Sequence, residues 1–80
     1  MTTSMFTDRY DHFRQMLVKR RKAIKLSQEN LGKKVDTDQS TVSKMERGVR
    51  RIDVVEMIDM AEALGLDPHD IITELQKIKS

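Results

Sequence analysis

Apolar residues recur in this chain at steps of three and four, and no segment alternates apolar with polar. That period lines apolar side chains along one face of a helix and leaves no half-buried strand to pair, so an all-α fold follows. The chain has 80 residues, enough for one small domain that buries only about 60% of the surface its unfolded form exposes. Cap signals divide it into five helices. The first starts near Thr7 or Asp8 and runs to about Ile24, with a stripe of Phe6, Tyr10, Phe13, Leu17, Arg21 and Ile24. Ser27 caps a second helix of about Gln28 to Val35, with Leu26 and Leu31 placed as a hydrophobic staple. Asp38 caps a third, about Gln39 to Arg47, and Gly48 is placed to end it in the left-handed conformation. Asp53 and Glu56 form a capping-box pattern for a fourth helix ending at Leu64-Gly65, and Asp67-Pro68 opens a fifth. Residues 1–6 read as a flexible N-terminus, and 7–80 as a single domain.

Several function classes drop out. The absence of cysteine excludes disulfides and thiolate metal sites and suits a reducing cytoplasm. No apolar run approaches the roughly 20 residues that span a membrane, and the N-terminus lacks the basic start and apolar stretch of a secretory signal. His12 and His69 are isolated, without the spacing that holds zinc. Ser40 and Ser43 have no neighbouring His and no glycine elbow, and no glycine-rich loop could cradle a phosphate. Met45, Met57 and Met60 fall at helical spacing and read as core filler. The expectation is a protein that is no enzyme and needs no metal or cofactor.

Charge is divided along the chain. From Leu17 to Arg51, eleven Lys/Arg stand against four Asp/Glu, an excess of +7; from Ile52 onward, two stand against seven, a deficit of −5. Such asymmetry suits a polyanionic partner at one end of the molecule, and equally an unevenly charged solvated surface.

The second and third helices have the length and separation of a helix-turn-helix, here Ser27 to Gly48, in which the later helix enters the major groove of DNA. On the third helix Val42, Met45 and Glu46 share the inward face. Gln39, Ser40, Ser43, Lys44 and Arg47 form an outward face with no carboxylate, although the chain holds thirteen. Glutamine pairs with adenine, lysine reaches guanine, and hydroxyls serve either base.

The stretch LSQENLGKKVDTDQSTVSKMERGVRR, followed by AEALG at 61–65, resembles the helix-turn-helix of the XRE family of phage repressor and Cro-like regulators. The separations of SQ, SKMERG and AEALG make the combination specific, and the likeness runs from about Leu17 to Gly65. It implies a compact five-helix lambda-repressor-like fold and sequence-specific binding of double-stranded DNA by a transcriptional regulator, most simply a homodimeric repressor. It further implies that Gln39, Ser40 and Lys44 read bases, that Thr41 and Ser43 reach base or phosphate, and that Ser27, Gln28, Arg47, Arg50 and Arg51 hold phosphate. Three residues depart from the family pattern. Gly32 stands where alanine is usual, at a cost of about 1 kcal/mol in helix propensity. Asp36 stands where the turn has glycine, and so is expected to take a left-handed conformation. Thr37 replaces an apolar plug between the two helices.

Arg21, on an apolar stripe, requires a partner, and Glu46 on the inward face of the third helix is its mirror image. The two are expected to form a partly buried pair; the alternative is that Arg21 snorkels to solvent. The last two helices carry Val54, Met57, Ile58, Ala61, Leu64, Ile71, Ile72, Leu75 and Ile78, with Val55 and Met60, more than a core this size easily hides. Either the surplus closes the core or it forms an interface. The resemblance implies dimerisation through the last helices, with Ile71, Ile72, Leu75 and Ile78 as the expected contact. A two-fold dimer would place its reading helices about 34 Å apart over a near-palindromic operator. Two neighbouring readings share these features: the controller protein of a restriction–modification system, and the antitoxin of a toxin–antitoxin pair, whose apolar helices would hold a second protein.

Overall fold

The computed structural model describes residues 7–78, and these form five helices in the order α1 (Asp8–Ala23), α2 (Gln28–Lys34), α3 (Gln39–Glu46), α4 (Val54–Leu64) and α5 (Pro68–Gln76). The flexible segment expected at 1–6, with Phe6 of the first stripe, lies outside the described residues. Each helix begins at a side-chain cap: Thr7, Ser27, Asp38, Asp53 and Asp67 accept from backbone N–H groups two or three residues on. Around Asp53 the capping box is complete, with Glu56 Oε1 accepting from the Asp53 N–H at 3.0 Å. Val35 and Arg47, expected as the last residues of α2 and α3, are instead their C-caps.

Four helices end in the same way. The residue after the C-terminal turn is left-handed, at Lys25 (φ 59°), Asp36 (φ 60°), Gly48 (φ 79°) and Gly65 (φ 73°). In each case the next N–H reaches back over the turn: Leu26 to Arg21 O, Thr37 to Gly32 O, Val49 to Lys44 O, and Leu66 to Ala61 O, at 2.8–3.0 Å. These are Schellman closures, and only two of the four have the glycine that makes them free of strain.

Gly32 corrects the expectation of a plain propensity loss. A Cβ there would stand 2.8 Å from the Thr37 carbonyl oxygen and 3.2 Å from that of Asp38. The missing side chain lets the turn fold back onto α2. Where Thr37 replaces the apolar plug, a hollow of about 160 Å³ is lined by Thr37, Met45 and Met60 together with the carboxylate residues Asp36, Glu56 and Asp59.

The core gathers Tyr10, Phe13 and Leu17 of α1, Leu31 of α2, Val42 and Met45 of α3, Met57, Met60, Ala61 and Leu64 of α4, and Ile71 of α5. Leu26 is partly buried and packs against this cluster. Two expectations need correction. Ile24 ends α1 as its C-cap and is exposed, so the buried stripe stops before it. Ile71, placed in the expected dimer contact, is 1% exposed and belongs to the core, and Met60 is equally buried. The hydrophobic surplus is therefore smaller than the sequence count implied.

Helix α1 packs against α3, α4 and α5, and its arginines reach the C-terminal ends of all three. Arg14 Nη1 donates to Glu46 O at 2.6 Å, Arg20 Nε to Leu64 O at 2.8 Å, and Arg9 Nε to Ile78 O at 2.9 Å. Neither α4 nor α5 has a basic residue in its own last turn, so α1 supplies the positive charge that their carbonyl ends favour. Arg14 lies directly beneath Gly48, with Nη2 on Asp11 Oδ1 at 2.7 Å and Nε buried without a partner.

Relief of the two strained closures should stabilise the chain. Asp36→Gly and Lys25→Gly are each expected to raise the unfolding free energy by about 0.5–1 kcal/mol, or a few degrees of melting temperature. Gly48→Ala should lower it, because φ is positive there and a Cβ would stand 3.1 Å from Arg14 Nε. Thermal melts of the three variants check this, and a loss on either change to glycine would contradict it.

Candidate nucleic-acid interface

Helix α3 is positioned from both ends. At its start the Asp38 carboxylate accepts from the Thr41 N–H at 2.7 Å. Its carboxyl titrates below the usual range, held down first by the Thr41 side chain and then by that N–H. Thr41 thus gives its backbone N–H to the cap and is half-buried. Beyond α3, Arg14 holds the last carbonyl and the Gly48 closure turns the chain away.

Val42 and Met45 bury their side chains, while Gln39, Ser40, Lys44 and Arg47 are exposed and Ser43 is half-buried. Arg47 Nε donates to Ser43 Oγ at 3.2 Å along the same face. The exposed side of α3 therefore offers amide, hydroxyl, ammonium and guanidinium groups and no carboxylate.

Glu46 faces the opposite way. Its Oε2 accepts from Arg21 Nε at 2.6 Å and its Oε1 from Arg21 Nη2 at 3.0 Å, the paired geometry in which a guanidinium binds a carboxylate best. The two side chains are only 11% and 8% exposed. Arg21 spends Nη1 on Leu26 O at 2.8 Å. Gln28 Nε2 donates to Glu46 Oε1 at 2.8 Å, and Gln39 Nε2 donates to Gln28 Oε1 at 2.7 Å. An unbroken chain of hydrogen bonds thus runs from α1 through the buried pair to the first residue of α3. Gln39 spends one amide hydrogen in it and keeps a carbonyl oxygen and a second N–H, the donor and acceptor that an adenine edge requires.

The other expected phosphate ligands are distributed differently. Ser27 Oγ caps α2 through the Asn30 N–H at 3.0 Å. Arg51 stacks over the Tyr10 ring, 4.5 Å from its centroid, while the Tyr10 hydroxyl accepts from the Ile52 N–H at 3.0 Å. Arg50 is forked onto Glu56, with Nη1–Oε1 at 3.0 Å and Nη2–Oε2 at 2.7 Å. The pair holds the Arg50 guanidinium above its ordinary value; it holds the Glu56 carboxyl below, with the Asp53 N–H adding to the second effect. Sequence reasoning placed Glu56 in the α4 cap but missed Arg50 as its partner, since a contact across the loop between α3 and α4 has no periodic signal. Arg14 and the role of the Tyr10 hydroxyl were missed because each reaches from α1 to a backbone group brought near only by tertiary packing, although Tyr10 itself was placed on the apolar stripe.

Of the expected dimer residues, Ile72 is exposed, Leu75 and Ile78 are half-buried, and Ile71 is not accessible. Val54 and Val55, each 63% exposed, and Ile58 on α4 add apolar surface that the expected contact omitted.

The helix-turn-helix family model matches residues 17–71. No curated protein matches the chain. Among solved structures, an XRE-family like protein from Pseudomonas syringae pv. tomato str. DC3000 superposes with a TM-score of 0.83 at 32% identity, covering 90% of this chain and 88% of that one. The family match spans α2, α3 and the turn between them, and the likeness extends over nearly the whole of both chains. The chain therefore belongs to the XRE-like helix-turn-helix family of DNA-binding regulators.

Proposed function

We propose that this chain is a homodimeric repressor that reads a near-palindromic duplex operator with the outward face of α3. The observation that carries the reading is a carboxylate-free face whose leading residue, Gln39, is oriented from the core by Gln28, Glu46 and Arg21. Gln39, Ser40 and Lys44 read bases, and Ser43 reaches base or phosphate. Thr41, whose backbone N–H is held by Asp38, reaches base or phosphate with its side chain. Ser27, Gln28, Arg47 and Arg51 hold backbone phosphate, which sets register without reading sequence. The family is one of DNA-binding regulators rather than enzymes. No helix among the described residues is long and apolar enough to cross a membrane, in keeping with a cytoplasmic site of action.

The second copy docks on the exposed apolar side chains of α4 and α5: Val54, Val55, Ile58 and Ile72. The acidic residues Asp59, Glu62 and Asp70 lie on these same two helices, so dimerisation there keeps negative charge away from DNA. The antitoxin reading uses the same patch for a different protein and predicts a hetero-complex.

Selection of bound sequences from random duplex DNA should return an inverted repeat. Against it, Gln39→Ala should relax preference at an A·T pair and Lys44→Ala at a G·C pair, each at about 1–3 kcal/mol. Arg47→Ala should weaken all sequences alike, and equal loss on all sequences for all three would overturn the assignment of roles. In light scattering the chain should show twice its formula mass, and Val55→Asp should return it to a monomer. A monomer mass at every concentration would remove the dimer.

A further inference from the structure

Arg50 stands in the loop beyond α3, where a phosphate contact is expected, yet its guanidinium is already occupied. Both terminal nitrogens are forked onto the two oxygens of Glu56, and Nη1 also donates to Arg51 O at 3.0 Å. Glu56 cannot swing aside freely, because it is the third residue of α4 and both halves of its capping box are made: its N–H donates to Asp53 Oδ1 at 2.8 Å and its Oε1 accepts from the Asp53 N–H at 3.0 Å. Arg50 remains well exposed, while Glu56 is less so. A phosphate approaching this loop meets a guanidinium whose charge is cancelled by a fixed carboxylate.

We propose that Glu56 sets the affinity of this chain for DNA by withholding Arg50 from the phosphate backbone. The inference rests on the DNA-binding reading and adds a residue that makes no contact with DNA. Counterion release counts net positive charge brought to the duplex, and a neutral Arg–Glu pair brings none. The pair is solvent-exposed and contributes little to the stability of the fold, so removal of its acidic half frees Arg50 without dismantling the domain. Loop binding then depends on Arg47 and Arg51, and the sequence-independent part of the affinity stays lower than the count of basic residues suggests.

The test uses the full chain and a mixed-sequence duplex that lacks the selected inverted repeat, on which binding is governed by phosphate contacts. Affinity is measured by fluorescence anisotropy over a salt series for wild type, Glu56→Gln, Arg50→Gln and the double variant. Glutamine keeps an acceptor for the Asp53 N–H, and a thermal melt verifies that the variant is folded. Glu56→Gln should bind about 3- to 10-fold more tightly, with a log–log salt slope steeper by about 0.9 per protomer, the value for one more neutralised phosphate. Arg50→Gln should change wild type little and abolish the gain in the double variant. If wild type binds and Glu56→Gln binds equally or more weakly, this inference falls alone. If wild type holds no duplex at all, the DNA reading falls and takes the inference with it.

Discussion

A guanidinium and a carboxylate are withdrawn from water between α1 and α3, and the orientation of α3 depends on their meeting. Removing two charges from solvent is costly, and the attraction between them offsets that cost only when every remaining donor and acceptor is satisfied. Here that condition is met: Glu46 accepts from Arg21 twice and from Gln28 once, and Arg21 spends its remaining terminal nitrogen on Leu26 O. The consequence is geometric. Rotation of α3 about its own axis would break the pair, so the helix has one orientation in which Val42 and Met45 enter the core and Gln39, Ser40 and Lys44 face outward. Gln39 is linked to the same pair through Gln28, which carries the constraint from the core to the surface.

Helix α1 contributes Tyr10, Phe13 and Leu17 to the core and also serves as an electrostatic frame. Its arginines sit on the carbonyl ends of α3, α4 and α5, where the helix dipoles favour positive charge. This alters the meaning of the basic excess between Leu17 and Arg51. Arg20 and Arg21 are committed to the fold and Arg50 to Glu56, while Arg51 is positioned over the Tyr10 ring. On the exposed side of α3, Lys44 and Arg47 are basic groups without a carboxylate partner among the described residues.

Helix identities were legible in the sequence because caps are local: Ser27, Asp38, Asp53 and Asp67 each bond within the following turn. The left-handed Asp36 was legible through its place in the family's turn, whereas Lys25 carries no signal for the same conformation. The pairing of Arg21 with Glu46 could be argued because each was out of place on its own face. The Arg14 contact with Glu46 O, the Arg50–Glu56 pair and the stacking of Arg51 on Tyr10 were not legible, because each joins residues far apart on the helical pattern through tertiary packing. Ile71 shows the limit from the other side: an apolar residue on a terminal helix has the same pattern whether it meets the core or a partner, and only packing separates it from Ile72 one position later. Gly32 was read as a weak point of α2, and its meaning lies in a carbonyl of the turn that no local rule places beside it.

The orientation of α3 rests on the buried pair, and the unfolding free energy of Glu46→Ala by denaturant titration tests this most directly. Removal of the carboxylate leaves Arg21 buried with only the Leu26 carbonyl and frees Gln28, so a loss of about 3–5 kcal/mol is expected. A loss of about 1 kcal/mol or less, the range of a solvent-exposed ion pair, would mean that α3 is oriented by something else.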